Sequence, residues 1–228
     1  MARTGDDGGP RGMAPGAWDT RRVLLGDWSR GLRDGIDLLR LTLVAGAVAF
    51  AVAGDSAGAW LLGFLGTLTL LARLINLPRV YDLCFTAAMV LQGYGEALGV
   101  YDRFLAFDDI VHFTLPMLTA PVLYIALARL DVVPDPRDDT TRQHYVGIFV
   151  VALALGITLG ALWELVEWAA DNWFGTHLQL NNDDTVGDML RDSLGSVAGA
   201  VLLVAWARYG WGSVRRIPGD NTAEDVDA

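Results

Sequence analysis

Two carboxylates and an imidazole stand at the start of an apolar run in DDIVHF, residues 108–113. In a helix Asp108 and His112 are spaced i, i+4 and Asp109 and His112 i, i+3, so at least one carboxylate shares a face with the ring. Such a face presents two ligand atoms to one cation. A second acidic group follows in LWELVEWAAD, where Glu164 and Glu167 are i, i+3 and Asp171 lies four residues further on. Negative charge toward the C-terminal end of a helix opposes its dipole, so helix electrostatics do not account for this stripe. In NNDDTVGDMLRDSLG the residues Asp184, Asp188 and Asp192 step at i, i+4 and i+8, with Arg191 among them. Asp184 is a candidate N-cap, whereas Asp188 and Asp192 sit too deep for capping.

One imidazole with several carboxylates and no thiolate suits Zn, Mn, Fe(II) or Mg and does not choose among them. Asp108, His112, Asp184 and Asp188 are therefore the candidate ligands of a divalent metal ion, and Glu164 or Glu167 the candidate general base. Each residue also has a plainer reading. His112 can be an interfacial hydrogen-bonding group, Arg191 an ion-pair partner of Asp188 or Asp192, and Asp109 a helix cap. Trp163, Trp168 and Trp173 read as an aromatic belt, and Gly195 with Gly199 as a GxxxG packing face. Pro116 and Pro121 read as helix kinks.

The elements that must position these groups are apolar runs. The chain has 228 residues, is 53% hydrophobic and has a mean hydropathy of +0.35, above ordinary soluble usage. Runs long enough to cross a bilayer, about 20 residues each, are read at Leu38–Gly54, Ala57–Ala72, Val80–Leu98, Ile110–Leu130, Val146–Ala169 and Met189–Ala207. Arg40 and Arg73 lie near the ends of the first two and are expected to snorkel toward water. The fold class expected is all-α, a polytopic integral membrane helical bundle of about six transmembrane helices. A polar tail (1–35) precedes the membrane domain (36–209), and an acidic tail (210–228) follows it. The first 35 residues lack the apolar core of a signal peptide.

All 17 basic residues are Arg, and the net charge is −10. That balance opposes nucleic-acid binding, and the expected partner surface is membrane lipid. The single Cys84 excludes an intrachain disulfide and a thiolate metal cluster. Every Arg except Arg103 and Arg191 falls in tails and loops of one side. The positive-inside rule then puts both termini in the cytoplasm of a plasma-membrane protein. Glu96, with Gln92 near it at the outer end of the third span, would share one level on the outer side with Asp108, His112, Glu164, Glu167, Asp188 and Asp192. Ionisable residues at membrane depth are costly and usually face a bundle interior. No internal repeat stands out, which gives no support to an inverted-repeat transporter.

YDRFLAFDDIVHF, ALWELVEWAADNWFGTHLQ and DDTVGDMLRDSLGSVAGA, in that order, resemble the YjdF-type family of inner-membrane proteins, a domain of unknown function. The resemblance covers roughly residues 101–200. It implies Asp108, His112, Glu164, Glu167, Gln179, Asp184, Asp188 and Gly195 as family-pattern positions, with Asp109 and His177 outside the pattern, and it implies no activity.

Three functions fit these residues. A metal-dependent hydrolase would act at the membrane on a lipid-linked or small-molecule substrate. An ion- or proton-coupled permease would use Gln92, Glu96 and the kinked fourth span as a path, with Asp82 near its inner end. A non-catalytic assembly partner would use the polar cluster only to lock helices. No H-E-x-x-H motif is present.

Overall fold

The computed structural model describes residues 32, 34–75, 77–104, 106–130, 132–136, 141–176, 178–179 and 181–209. Apart from Leu32 and residues 34–35, the two predicted tails lie outside the described residues, as does His177. The helices are α1 (Gly35–Val52), α2 (Ser56–Leu74), α3 (Arg79–Ala97), α4 (Val100–Arg103), α5 (Phe107–Arg129), α6 (Arg142–Phe174) and α7 (Asn182–Tyr209), with no strand among the described residues. The six long helices correspond to the six apolar runs. The single turn α4 has no counterpart in the sequence reading, being too short to show a period.

Local chemistry sets several boundaries. The Asp34 side chain accepts from the Ile36 amide at 2.9 Å and Asp55 from the Gly58 amide at 3.0 Å, capping α1 and α2. Asn181, rather than the expected Asp184, caps α7, its Oδ1 accepting from the amides of Asp183 and Asp184 at 2.9 and 3.2 Å. Helix α7 therefore starts seven residues before the apolar run that announced it, because a cap can hold a polar first turn. Asn181→Ala should cost about 1 kcal/mol of stability, readable as a small fall in melting temperature. At the other end of the connection, Gly175 adopts φ 70° and terminates α6, a left-handed conformation that glycine tolerates.

Five helices, α1, α2, α5, α6 and α7, are long and apolar enough to cross a membrane. Helix α3 is not among them because Asp82, Gln92 and Glu96 interrupt it. With 19 residues it still measures about 28 Å, close to the hydrocarbon thickness, and it packs against α1, α2 and α5. Burial runs opposite to that of a soluble protein. Asp82, His112, Glu164, Asp188 and Asp192 are buried, while Val48, Leu162, Leu165 and Val201 are more than half exposed. An apolar exterior, with the ionisable groups kept inside, is what a lipid solvent requires.

The long helices form two triples, α1–α2–α3 and α5–α6–α7, joined where α3 packs on α5. Leu43, Leu62, Leu65, Ala88 and Met89 fill the first. Tyr124, Ile125, Ile148, Ala152 and Leu203 fill the second, and Tyr81 of α3 meets Trp206 of α7 edge-on at 5.1 Å.

The first triple holds a buried ion layer, which corrects the expected snorkelling. Arg40 and Arg73 are only 2% and 4% exposed. Arg40 Nη1 donates to Asp37 Oδ1 at 2.6 Å, its Nη2 donates to Asp82, and its Nε donates to the Thr69 carbonyl at 3.2 Å. Arg73 Nε and Nη2 reach the two Asp37 oxygens at 3.0 and 3.2 Å. Carboxylates at the same depth on neighbouring helices offer these guanidiniums a bidentate partner inside the bundle. Snorkelling was inferred from each Arg and its own helix end, whereas Asp82 for Arg40 and Asp37 for Arg73 lie on other helices.

Candidate functional site

The site is built where α7 crosses α5. A Cβ on Gly195 would strike the Phe113 carbonyl oxygen, and one on Gly199 would lie 2.6 Å from that of Met117. The GxxxG face thus seats one backbone directly on the other, as its spacing predicts. On α6, Gly160 leaves the space that the Asp192 carboxylate occupies, and Gly156 does the same for Ser196. With α5 and α7 in backbone contact and α6 packed on them through its glycines, the three helices bring their polar side chains to one point.

That point is His112, buried at 5% exposure. Its Nδ1 lies 3.2 Å from Asp192 Oδ1 and 3.9 Å from Glu164 Oε1, and its Nε2 lies 3.5 Å from Asp108 Oδ1. Two triads offer ligand atoms within 4.8 Å of one another, namely Asp108, His112 and Asp188, and His112, Glu164 and Asp192. Glu164 Oε1 and Asp192 Oδ2 are buried without a hydrogen-bond partner. The other Glu164 oxygen, Oε2, accepts from Gln179 Nε2 at 3.2 Å. Gln179 is brought back over α6 by Asp171, whose oxygens accept from Thr176 Oγ1 at 2.6 Å and from the Leu178 and Gln179 amides at 2.8 and 3.0 Å. Asp171 therefore serves the connection, not the cluster.

On the α7 side Arg191 donates to Asp188 at 3.2 Å and pairs with Asp109 at 2.7 Å. Asp109 is thus an ion-pair partner, and no side chain caps α5. Glu167 lies half-buried one turn beyond Glu164, and Asp184 half-buried in the first turn of α7; neither belongs to the two triads. Glu96 is exposed and belongs to neither triad. Gln92 is buried, its Oε1 accepting from the Tyr101 hydroxyl at 2.6 Å. Burial, with Asp108 and Glu96 nearby, holds that hydroxyl well above the usual tyrosine range, so it remains a donor. Trp163, Trp168 and Trp173 are exposed, with Trp168 and Trp173 edge-on at 6.3 Å, as an aromatic belt requires.

Asp192 is the residue that sequence reasoning underrated. Its i+4 spacing from Asp188 was visible, but the reach to His112 depends on Gly160, whose role only the helix crossing shows.

A family model described as "Predicted membrane protein (DUF2238)" matches residues 37–209. The chain belongs to this family. The DUF2238 match runs from the first turn of α1 to the last residue of α7, beyond the stretch that carried the YjdF-type resemblance, and agrees with it. No curated protein and no solved structure matches the chain. The DUF2238 description names the membrane and assigns no reaction.

Proposed function

We propose that the α5–α6–α7 centre binds a divalent cation and that the protein is a metal-dependent hydrolase of the plasma membrane, its site facing outward and both termini cytoplasmic. The observation that carries the cation is a pair of buried, unpartnered oxygens: Glu164 Oε1, 3.9 Å from His112 Nδ1, and Asp192 Oδ2, on the carboxylate whose Oδ1 lies 3.2 Å from that nitrogen. Unsatisfied carboxylate oxygens are costly in a low-dielectric interior, and one cation between them would satisfy both. His112, Glu164 and Asp192 would hold the ion. Asp108, on the far side of the ring, would accept the Nε2 proton and fix the tautomer, as carboxylates behind ligating histidines do.

When bound, a divalent ion supplies Lewis-acid activation of water and of an acyl or phosphoryl oxygen. Glu164 moves in this reading from base to ligand, which leaves Glu167, one turn nearer the aromatic belt, as the general base. Asp188 and Asp184 line the approach, with Arg191 held beside them by Asp109 and Asp188. The exposed Trp168 and Trp173 suit a substrate reached from the lipid interface, such as a lipid-linked one.

Titrating the detergent-purified protein with Zn²⁺, Mn²⁺, Fe²⁺ and Mg²⁺ is the test. About one ion per chain is expected, with binding abolished in His112→Ala and Asp192→Asn proteins that elute and melt as folded species. No uptake of any of these ions, or equal uptake by both variants, would end the proposal. The Arg40–Asp82 layer favours a second reading, a proton- or ion-coupled carrier with a charged layer in each triple. Flux into proteoliposomes that survives in the native protein and fails in Asp192→Asn would support the carrier over the hydrolase.

A further inference from the structure

A groove of about 450 Å³ lies between the first turns of α6 and the last turns of α7, at the opposite end of the second triple from His112. Its lining combines Arg142 and Arg208 with Tyr145 and Tyr209 and an apolar remainder, and includes no carboxylate. We propose that this groove binds an anionic phospholipid, with the phosphodiester between Arg142 and Arg208 and an acyl chain along Val146, Phe149, Val201 and Val204.

Charge complementarity is the first argument. Arg40 and Arg73 are neutralised by Asp37 and Asp82, Arg79 faces Asp34 at 3.4 Å, and Arg191 is held by Asp109 and Asp188. Arg142 and Arg208 are exposed and make no ion pair among the described residues. Two guanidiniums without an ion pair among the described residues, flanking one groove, match a phosphodiester in charge and in hydrogen-bond geometry. Construction of the groove is the second. Arg208 lies 5.3 Å from the Tyr209 ring centroid, so the cation stands beside an aromatic group at the rim, where headgroups meet hydrocarbon. Val146 and Val201, both more than half exposed, extend the apolar wall from that rim toward the membrane interior. A free phosphate would engage the rim and leave the apolar wall without a role. Basic pockets between membrane helices hold lipid headgroups in this manner.

The full chain, purified in detergent, would be titrated with short-chain phosphatidylglycerol, with phosphatidylcholine of the same chain length, and with inorganic phosphate, following melting temperature and bound lipid. Phosphatidylglycerol should bind roughly tenfold tighter than phosphatidylcholine, and inorganic phosphate should leave the melting temperature unchanged. The double variant Arg142→Gln/Arg208→Gln should lose about thirtyfold in affinity for phosphatidylglycerol. Ala205→Phe, which narrows the groove and keeps both Arg, should lose it too, while Arg79→Gln should not. Equal binding of the two lipids, an equal loss in Arg79→Gln, or protection by phosphate alone would overturn the assignment.

Discussion

Arg40→Leu should destabilise the folded protein by about 3–5 kcal/mol, the usual penalty for removing one member of a buried ion pair. The variant keeps Asp37 and Asp82 in the interior and removes the guanidinium that joins them, leaving the Asp37–Arg73 pair in place. The informative partner is Arg40→Leu/Asp82→Leu. It deletes one charge of each sign and keeps the Asp37–Arg73 pair, so it should recover most of the loss, as apolar replacements of whole buried pairs do. Thermal unfolding of the solubilised proteins, scored as a double-mutant cycle, measures this. Additive losses would show that the two side chains act separately and would remove the ion layer from the account of the fold.

Gly195→Ala should cost about 1–3 kcal/mol by overpacking, because the new Cβ meets the Phe113 carbonyl, a backbone atom that no rotamer change can move. Helices α5 and α7 must part, and the 3.2 Å approach of His112 to Asp192 lengthens with them. The variant should therefore lose both melting temperature and divalent-ion binding. Gly147→Ala on α6 is the control, since a Cβ there meets nothing within 4 Å. It should be neutral or stabilising by about 0.5–1 kcal/mol, because alanine is the better helix former. A Gly195→Ala protein that melts and binds like the native one would mean that the crossing is looser than its backbone contact implies.

Most of the membrane architecture was legible in the sequence because lipid imposes one rule on every span: about 20 apolar residues and internally paired backbone. The six runs became six long helices for that reason. Their ends were less legible. Helix α6 continues to Phe174 and α7 begins at Asn182, since hydrogen bonding and caps carry a helix through polar turns where apolarity says nothing. Asp108, His112, Glu164 and Asp188 were found because ionisable side chains at membrane depth stand out in any reading. Glu96 is exposed outside both triads, and a one-dimensional pattern gives depth along a helix without the direction a side chain faces. Pairings between helices were the hidden part. Asp37 with Arg73, and His112 with Asp192, depend on which helices touch, and the glycines that decide this carry no chemistry of their own.

The two polar centres close at different moments of synthesis. Arg40 meets Asp37 within its own helix turn and Asp82 after 42 further residues, about 2–8 s of elongation at roughly 5–20 residues per second. His112 must wait for Asp192, 80 residues later, about 4–16 s on the same clock. The first triple can thus neutralise its charges before the second has left the ribosome. The centre around His112 stays incomplete until α7 brings Asp188, Asp192 and Arg191 to it. A stalled or truncated chain would therefore display that end unassembled, and membrane quality control would meet it there first.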